Sequence, residues 1–434
     1  MYMDMNNPVI QIIDYQIKQL LVGGHSVLIK KLARLCILVC YFLFAIPVLL
    51  IVRLLSPFLV IRFGELLSDR IGHFATFTDL YLCECEKGFH GRNKYDIFYL
   101  RRQISNRQLS KMWGRVLNIT TLRDLALSVV FLNRFFPGYK KHQVPLERAT
   151  YDRDFYANIS GQLHFTQKEE ILGKELLRKI GLAANAPFVC FHVRDSAYLN
   201  AVYPSSSGCT YHSHKDCNIK DWSYHSHRDC NIENYREATE ELVSRGYFVF
   251  RMGAIVRQPL ANTNPMIIDY AAKHRTDFLD IFLSAKCQFF IGSVSGIDEV
   301  PRVFRRNVAS VNCIPLEFIF IWNPNFLFIP KKLFLKNEKR FLGFREIIES
   351  GAGRFDCSGY YHERGIEVIE NTPEEISDLV IETDQRLKGQ WKSTEEDEEL
   401  QQQFWNILKL SKSYRDVSAR IGAQFLRKNQ GLLS

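Results

Sequence analysis

Three short stretches hold residue types suited to moving a proton and holding an anion. In "CFHVRDSAY" (190–198), His192 and Arg194 stand two apart at the end of an apolar run. On a strand that spacing puts both on one face. Arginine binds a diphosphate bidentately, and Asp195 follows in the next loop as a second ionisable group. The alternative is a structural Arg–Asp pair. "FFIGSVSGIDEV" (289–300) runs a buried strand into Gly292, Ser293, Ser295 and Gly296 and then a helix start. Backbone N–H groups, two hydroxyls and a helix dipole there suit a phosphate, although glycine–serine turns also occur without ligands. "SDRIGHFA" (68–75) places His73 at a strand-to-helix junction, where a neutral imidazole suits proton abstraction; a capping or packing histidine is the alternative. "YFVFRMG" (247–253) adds Arg251 as a second positive group, and Glu317 could meet a ribose hydroxyl or stand on the surface.

These residues need a frame to bring them together. "PFLVIRF" (57–63) and "YDIFYL" (95–100) read as buried strands around a helical pattern from Phe74 to Glu86, a βαβ unit. "KEEILGKELLRKI" (168–180) is amphipathic. A second alternation follows: strands at 188–193, 247–251, 287–292 and 307–312, with helical patterns at 232–244 and 277–286 between them. The expected fold is therefore α/β and GT-B-like, two Rossmann-like domains facing a cleft. The expected boundaries are 1–55 for an anchoring segment, 56–180 and 181–385 for the two domains, and 386–434 for terminal helices. Thr372-Pro373-Glu374-Glu375 opens one such late helix with a cap, a proline at its first position and acids in its first turn.

Composition sets the outer limits. The 434-residue chain is 47% apolar with a net charge of +9, which suits an anionic ligand or membrane surface but shows no basic block like a nucleic-acid arm. Its 11 cysteines, several inside apolar runs, argue for a reduced compartment. "LCILVCYFLFAIPVLLIV" (35–52) is uncharged and flanked by basic residues on both sides. It is near the lower length for a span, so a membrane-anchor helix, spanning or interfacial, is expected.

"DRIGHFA", "FHVRDSAY", "HSHRDCNIENY", "GYFVFRMG", "GSVSGIDEVPRVF", "PKKLF" and "GIEVIENTPEEISDLV", in that order, resemble a bacterial family of surface-polysaccharide glycosyltransferases. The resemblance runs from about residue 60 to the C-terminus. It implies a GT-B-like fold, an activated-sugar donor and a membrane-linked glycan acceptor; on the GT-B pattern a nucleotide-sugar donor, a glycan or lipid-linked acceptor, and no metal or other cofactor are expected. It also implies a place on the cytoplasmic face of the bacterial inner membrane. "RIGHFATFTDL" is similar to the first βα turn of heptosyltransferases, with His73 where that family has an acidic base. "HVRD" is similar to the His-x-Arg element of GT-B fucosyltransferases, which points Arg194 at the donor diphosphate. A retired scaffold that binds such ligands without catalysis is the competing class.

The family pattern has one "YHSHRDCNIENY"; this chain has two in tandem. Tyr211–Ile219 recurs as Tyr224–Ile232 with Lys215 replaced by Arg228. The doubled His and Cys spacing could suggest zinc, but local duplication produces it without a metal. The second copy runs into the expected helix and supplies Arg228 and Asp229 towards donor or acceptor. The first, about 210–222, reads as an inserted duplicate.

Overall fold

The computed structural model describes residues 8–146, 159–183, 185–202, 222–319, 326–411 and 418–434, so the first copy of the repeat lies outside the described residues. The chain forms two compact units whose boundaries interleave.

The smaller unit comprises residues up to Leu66 together with His90–Arg101 and Leu117–Leu146. Its helix α1 (Pro8–Leu55) contains the apolar run. Ala45, Leu49 and Val52, spaced i, i+4, i+7, share a buried cluster with Ala126 and Val129 of the helix Arg123–Asn133. Burial of Leu49 or Val52 contributes about 1.5–3 kcal/mol each. Arg53 closes the pairing by donating to Asn133 Oδ1 at 2.9 Å and to the Pro137 carbonyl at 2.8 Å. The other faces of α1 stay open: Leu43, Phe44, Leu50, Ile51 and Leu54 are exposed. Strands β1 (Val60–Leu66) and β2 (Lys94–Leu100) pair in parallel, and buried Arg62 bridges to Asp96, with Nη2 2.6 Å from Oδ2. Single parallel bridges link Phe63 to Gln143 and Phe98 to Ile119. The first strand begins three residues later than its pattern suggested because α1 runs on to Leu55 and a turn follows.

The larger unit comprises Leu67–Phe89, Arg102–Val116 and Glu147–Ser434. Its helix α2 (Ile71–Glu86) is tied down by a buried Asp79–Arg305 ion pair at 2.7 Å and a Thr76–Glu299 hydrogen bond at 2.8 Å. Its main sheet uses β3 (Phe188–His192), β4 (Phe248–Met252), β5 (Ile267–Ile268), β6 (Phe289–Gly292), β7 (Asn307–Cys313), β8 (Leu327–Pro330) and β12 (Arg420–Ile421). The order is β12-β8-β7-β6-β3-β4-β5, and every pairing is parallel. Numbered within this unit, that is the Rossmann order 3-2-1-4-5-6 with one further strand. A small antiparallel sheet, β10-β9-β11, is built from β9 (Lys332–Leu335), β10 (Arg340–Phe341) and β11 (Ile366–Ile369).

Alternation along β3 explains the two-sided core. Val189 and Phe191 join a cluster with Leu242 and Leu379, while Phe188 and Cys190 join one with Leu177, Phe282 and Leu283. A strand covered on both faces needs the unbroken apolar run that the sequence shows.

The expected linear boundaries do not follow these units. Residues 67–89 and 102–116 pack with the larger sheet, and residues 386–434 are more than trim. Phe404, Ile407 and Ile421 are buried in the core, and β12 is an edge strand of the sheet.

Candidate functional site

A cavity of about 260 Å³ opens in the larger unit. Its floor is the turn after β3 (His192 to Asp195) and the turn after β6 (Ser295 to Ile297). β3 leads on to β4 and β5 on one side, and β6 leads to β7 and β8 on the other, so the cavity sits where the strand order reverses. Open α/β sheets bind ligands at that point because the diverging loops leave a crevice.

Arg194 and Arg228 both line the cavity, and the Nε atom of each is buried without a hydrogen-bond partner. Asp229 Oδ1 stands 3.6 Å from Arg194 Nε, longer than a hydrogen bond. Arg228 donates through Nη2 to the carbonyl of Val294. That carbonyl is presented by a β-branched residue at φ +56°, a backbone state that is costly for valine and persists only where surroundings enforce it. Burial, then the neighbouring Arg194, pushes the Arg228 guanidinium below its ordinary pKa; burial does the same to Arg194, with Asp229 opposing. Two desolvated like charges with free donors form a site that negative charge would relieve.

The turn after β6 works differently from the expected phosphate cradle. Ser293 Oγ donates to the His192 carbonyl at 3.2 Å and accepts the Arg194 N–H at 3.0 Å, so it fixes the end of β3. The Ser295 N–H is taken by Asp298 Oδ2 at 2.8 Å. Gly292 is needed beneath it, since a Cβ there would stand 2.6 Å from Asp298 Oδ2. Ser295 and Gly296 line the cavity; Gly292 and Ser293 support it from behind. The physical reason is Asp298, a carboxylate at the place where a phosphate would have met the turn.

Other expected residues separate in the same way. His73 lines the cavity from the first turn of α2, its ring stacked on Phe77 at 5.0 Å. Asp195 lines it too, but each of its oxygens accepts a backbone N–H, from Ala197 at 2.8 Å and Arg257 at 2.9 Å, so it clamps two loops. Arg251 does not reach the cavity: it is 2% exposed, 3.5 Å from Asp269, and donates to the Gln258 carbonyl at 2.7 Å. Glu317 turns into the core, where it accepts from Ser411 and packs on Gly353. Asp229 is half-buried behind Arg194, its carboxyl raised by burial.

The structure adds residues that the sequence reading did not single out. Arg70, Ser105, Tyr198, Arg275 and Asp280 complete the wall. Burial lifts the Asp280 carboxyl to about 6 against the pull of Arg275, 2.9 Å away. Nothing in the local pattern around Ser105 or Arg275 announces them. Asp298 did have a signal: Ser295-x-x-Asp298 is a capping-box spacing, and its carboxylate accepts the Ser295 N–H as such a box requires.

Among the described residues no group of three His, Cys, Asp or Glu side chains is placed to hold a metal ion. In the second repeat copy His227 Nδ1 lies 3.0 Å from the Ser358 hydroxyl and Cys230 Sγ donates to the Arg228 carbonyl, so these side chains serve packing.

No protein-family model matches the sequence, and no curated protein matches it. Among solved structures, the chain is similar to the E. coli ADP-heptose lps heptosyltransferase II at 13% identity and a TM-score of 0.30, covering 62% of this chain and 90% of that one. It is also similar to a family 9 glycosyl transferase from Veillonella parvula at 11% identity and a TM-score of 0.39, covering 76% and 97%. Overlaps of this size carry no argument; the fold rests on the strand order, and the chemistry on the cavity.

Proposed function

We propose that this chain is a glycosyltransferase that takes a nucleotide-sugar donor and transfers its sugar to a surface-glycan or lipid-linked acceptor. The observation that carries the reading is the pair of guanidiniums, Arg194 and Arg228, each with a buried Nε that has no hydrogen-bond partner, at the reversal point of a Rossmann-order sheet. A sugar diphosphate gains negative charge on its leaving group as the glycosidic bond breaks. Preorganised cations aimed at that oxygen stabilise the transition state more than the ground state. The two guanidiniums would supply that charge from the protein itself. The cavity volume suits a sugar with its phosphates, and Tyr198, Ser105 and the Arg275–Asp280 pair offer hydrogen-bonding groups for hydroxyls.

Membrane attachment is part of the same proposal. Residues Cys36–Leu55 form a 20-residue stretch of helix with mean hydropathy 2.6, of which 17% is buried. A core helix of a water-soluble domain would be mostly covered, and this one presents Phe44, Leu50, Ile51 and Leu54 outwards. An acceptor carried on lipid at the cytoplasmic face of a bacterial inner membrane fits such an anchor.

The experiment is to incubate the full chain, in detergent or vesicles, with a panel of nucleotide-sugars and a membrane-lipid extract, and to measure released nucleoside diphosphate. Release from one donor, lost in Arg194→Ala, supports the reading. Binding of a donor with no release under any condition would leave the chain a sugar-nucleotide binder.

A further inference from the structure

His192, Ser295 and Asp298 form one hydrogen-bonded chain that ends in the cavity. Asp298 is 1% exposed, and among the described residues no Lys or Arg lies within ion-pair distance of it. Its Oδ1 faces the Ser295 hydroxyl at 2.8 Å, and Ser295 Oγ in turn lies 2.9 Å from His192 Nδ1. Asp298 and His192 do not meet directly: Oδ1 and Nδ1 are 4.0 Å apart, with the hydroxyl between them. His192 lines the cavity, and no described residue hydrogen-bonds its Nε2.

Such a chain has two self-consistent settings. With Asp298 ionised, the hydroxyl donates to the carboxylate, the ring donates from Nδ1, and Nε2 is an acceptor facing the cavity. With Asp298 protonated, the carboxyl donates to the hydroxyl, the hydroxyl donates to Nδ1, and the ring proton sits on Nε2. One proton on Asp298 reverses every hydrogen bond in the chain.

We propose that His192, Ser295 and Asp298 are the proton path of the transfer reaction, with His192 Nε2 taking the acceptor's proton and Asp298 the final holder. The proposal rests on the transferase reading above. The acceptor oxygen bonds to the anomeric carbon as the bond from that carbon to the diphosphate oxygen breaks. The acceptor's hydroxyl proton passes to Nε2, the Nδ1 proton to Ser295 Oγ, and the serine proton to Asp298 Oδ1. The diphosphate leaves with the electron pair towards Arg194 and Arg228. The proton on Asp298 returns to solvent before the next cycle.

The electrostatics agree with that direction of travel. Burial, then Arg194 and Arg251, hold the His192 ring down at about 3, so an imidazolium is a poor resting place. Burial lifts Asp298 to about 7, with Glu299 adding to the rise and Ser295 and Arg302 opposing it. Charged and titratable groups also face it from other elements: His192 at the end of β3, Arg228, Tyr235 and Cys313 of β7. In the Ser-His-Asp triad the acid touches the ring and stays ionised. Here a hydroxyl stands between them, and the acid is buried without a cation in contact. The path also removes Asp195 from the role of base, since backbone amides occupy both its oxygens.

The test reads the ring directly. The full chain is labelled with ¹⁵N in its 12 histidines, and His192 is assigned by difference against His192→Gln. Its nitrogens are followed by NMR from about pH 5 to pH 9. The expected result is a move of the ring proton from Nε2 to Nδ1 as pH rises through about 7, with no imidazolium. Asp298→Asn mimics the protonated acid and should hold the Nε2–H form throughout; Ser295→Ala should abolish the pH-dependent exchange. A single tautomer across the range in the wild type, or an Asp298→Asn variant that behaves like wild type, overturns the proposal. Intact exchange in a protein that releases diphosphate from no donor would instead overturn the transferase reading.

Discussion

Gly72 and Gly296 meet backbone to backbone: a Cβ on Gly72 would stand 2.8 Å from the Gly296 Cα. That contact seats the first turn of α2, with His73, against the turn after β6 that orients His192. Both glycines line the cavity, so two of its walls are held together by the absence of side chains.

Gly72→Ala is therefore expected to destabilise by about 1–3 kcal/mol, the usual range for overpacking a close contact. It should also weaken diphosphate binding. Thermal unfolding with and without nucleoside diphosphate checks both. An unchanged midpoint would mean that the two turns part easily.

Arg194→Ala and Arg228→Ala should each lower affinity for a nucleoside diphosphate by roughly 10–100-fold, the loss of one charge-assisted contact to phosphate. The ligand-free protein should lose little stability, because each change relieves a partly desolvated charge whose Nε has no partner. Lysine in either place should fail to restore binding, since it lacks the planar fork. Calorimetric titration of the four variants decides it.

The buried groups make opposite contributions to stability against pH. Asp298 binds its proton more tightly folded than unfolded, so it lowers stability as pH rises from about 4 to about 7. His192 and His227, both held down to about 3 chiefly by burial, bind protons less tightly folded, so they raise stability as pH climbs from about 3 to 6.5. Asp298→Asn removes the first term only. Its stability relative to wild type should improve across pH 4 to 7, by on the order of a few kcal/mol at the upper end. Urea unfolding at several pH values measures the difference; a gap that shrinks with pH would contradict the assignment.

Deleting residues 210–222 should leave donor turnover largely intact, because the second repeat copy already supplies Arg228 and Asp229. Loss of both folding and turnover would show that the duplication has acquired a role.

Leu50→Glu with Leu54→Glu should abolish flotation with anionic lipid vesicles and leave the fold unchanged. Both side chains are exposed, on the side of α1 away from Ala126 and Val129. Retained flotation would move the membrane contact elsewhere.

Four strands of the main sheet, β3, β4, β6 and β7, were legible because a strand buried on both faces must be a continuous apolar run, as in Phe188–Phe191 and Phe289–Ile291. His192 and Arg194 were legible for a related reason, since two-residue spacing at a strand end fixes one shared face. β5 and β12 were not, because two residues carry no periodicity, and neither was β8, a four-residue run that ends in a proline. The composition of the turn Gly292–Gly296 suits both an anion cradle and a helix cap. Only the buried Asp298, for which Gly292 leaves room, decides between them. Ser105, Arg275 and Asp280 reach the wall from separate elements, and tertiary packing alone brings them together. The interleaved units hid for the same reason: α2 follows β1 in the chain but packs on the helix Glu299–Val303.

In the proposed function Arg194 and Arg228 hold the diphosphate of a sugar donor. The most direct measurement is thermal unfolding of the full chain in detergent with UDP, GDP, ADP, TDP and CMP, in wild type and in the Arg194→Ala, Arg228→Ala double variant. A ligand at about 100 times its Kd adds about 2.7 kcal/mol, enough for a clear rise in midpoint. Such a rise is expected with one nucleotide in the wild type and none in the double variant. No rise with any nucleotide, or an equal rise in the double variant, would contradict it.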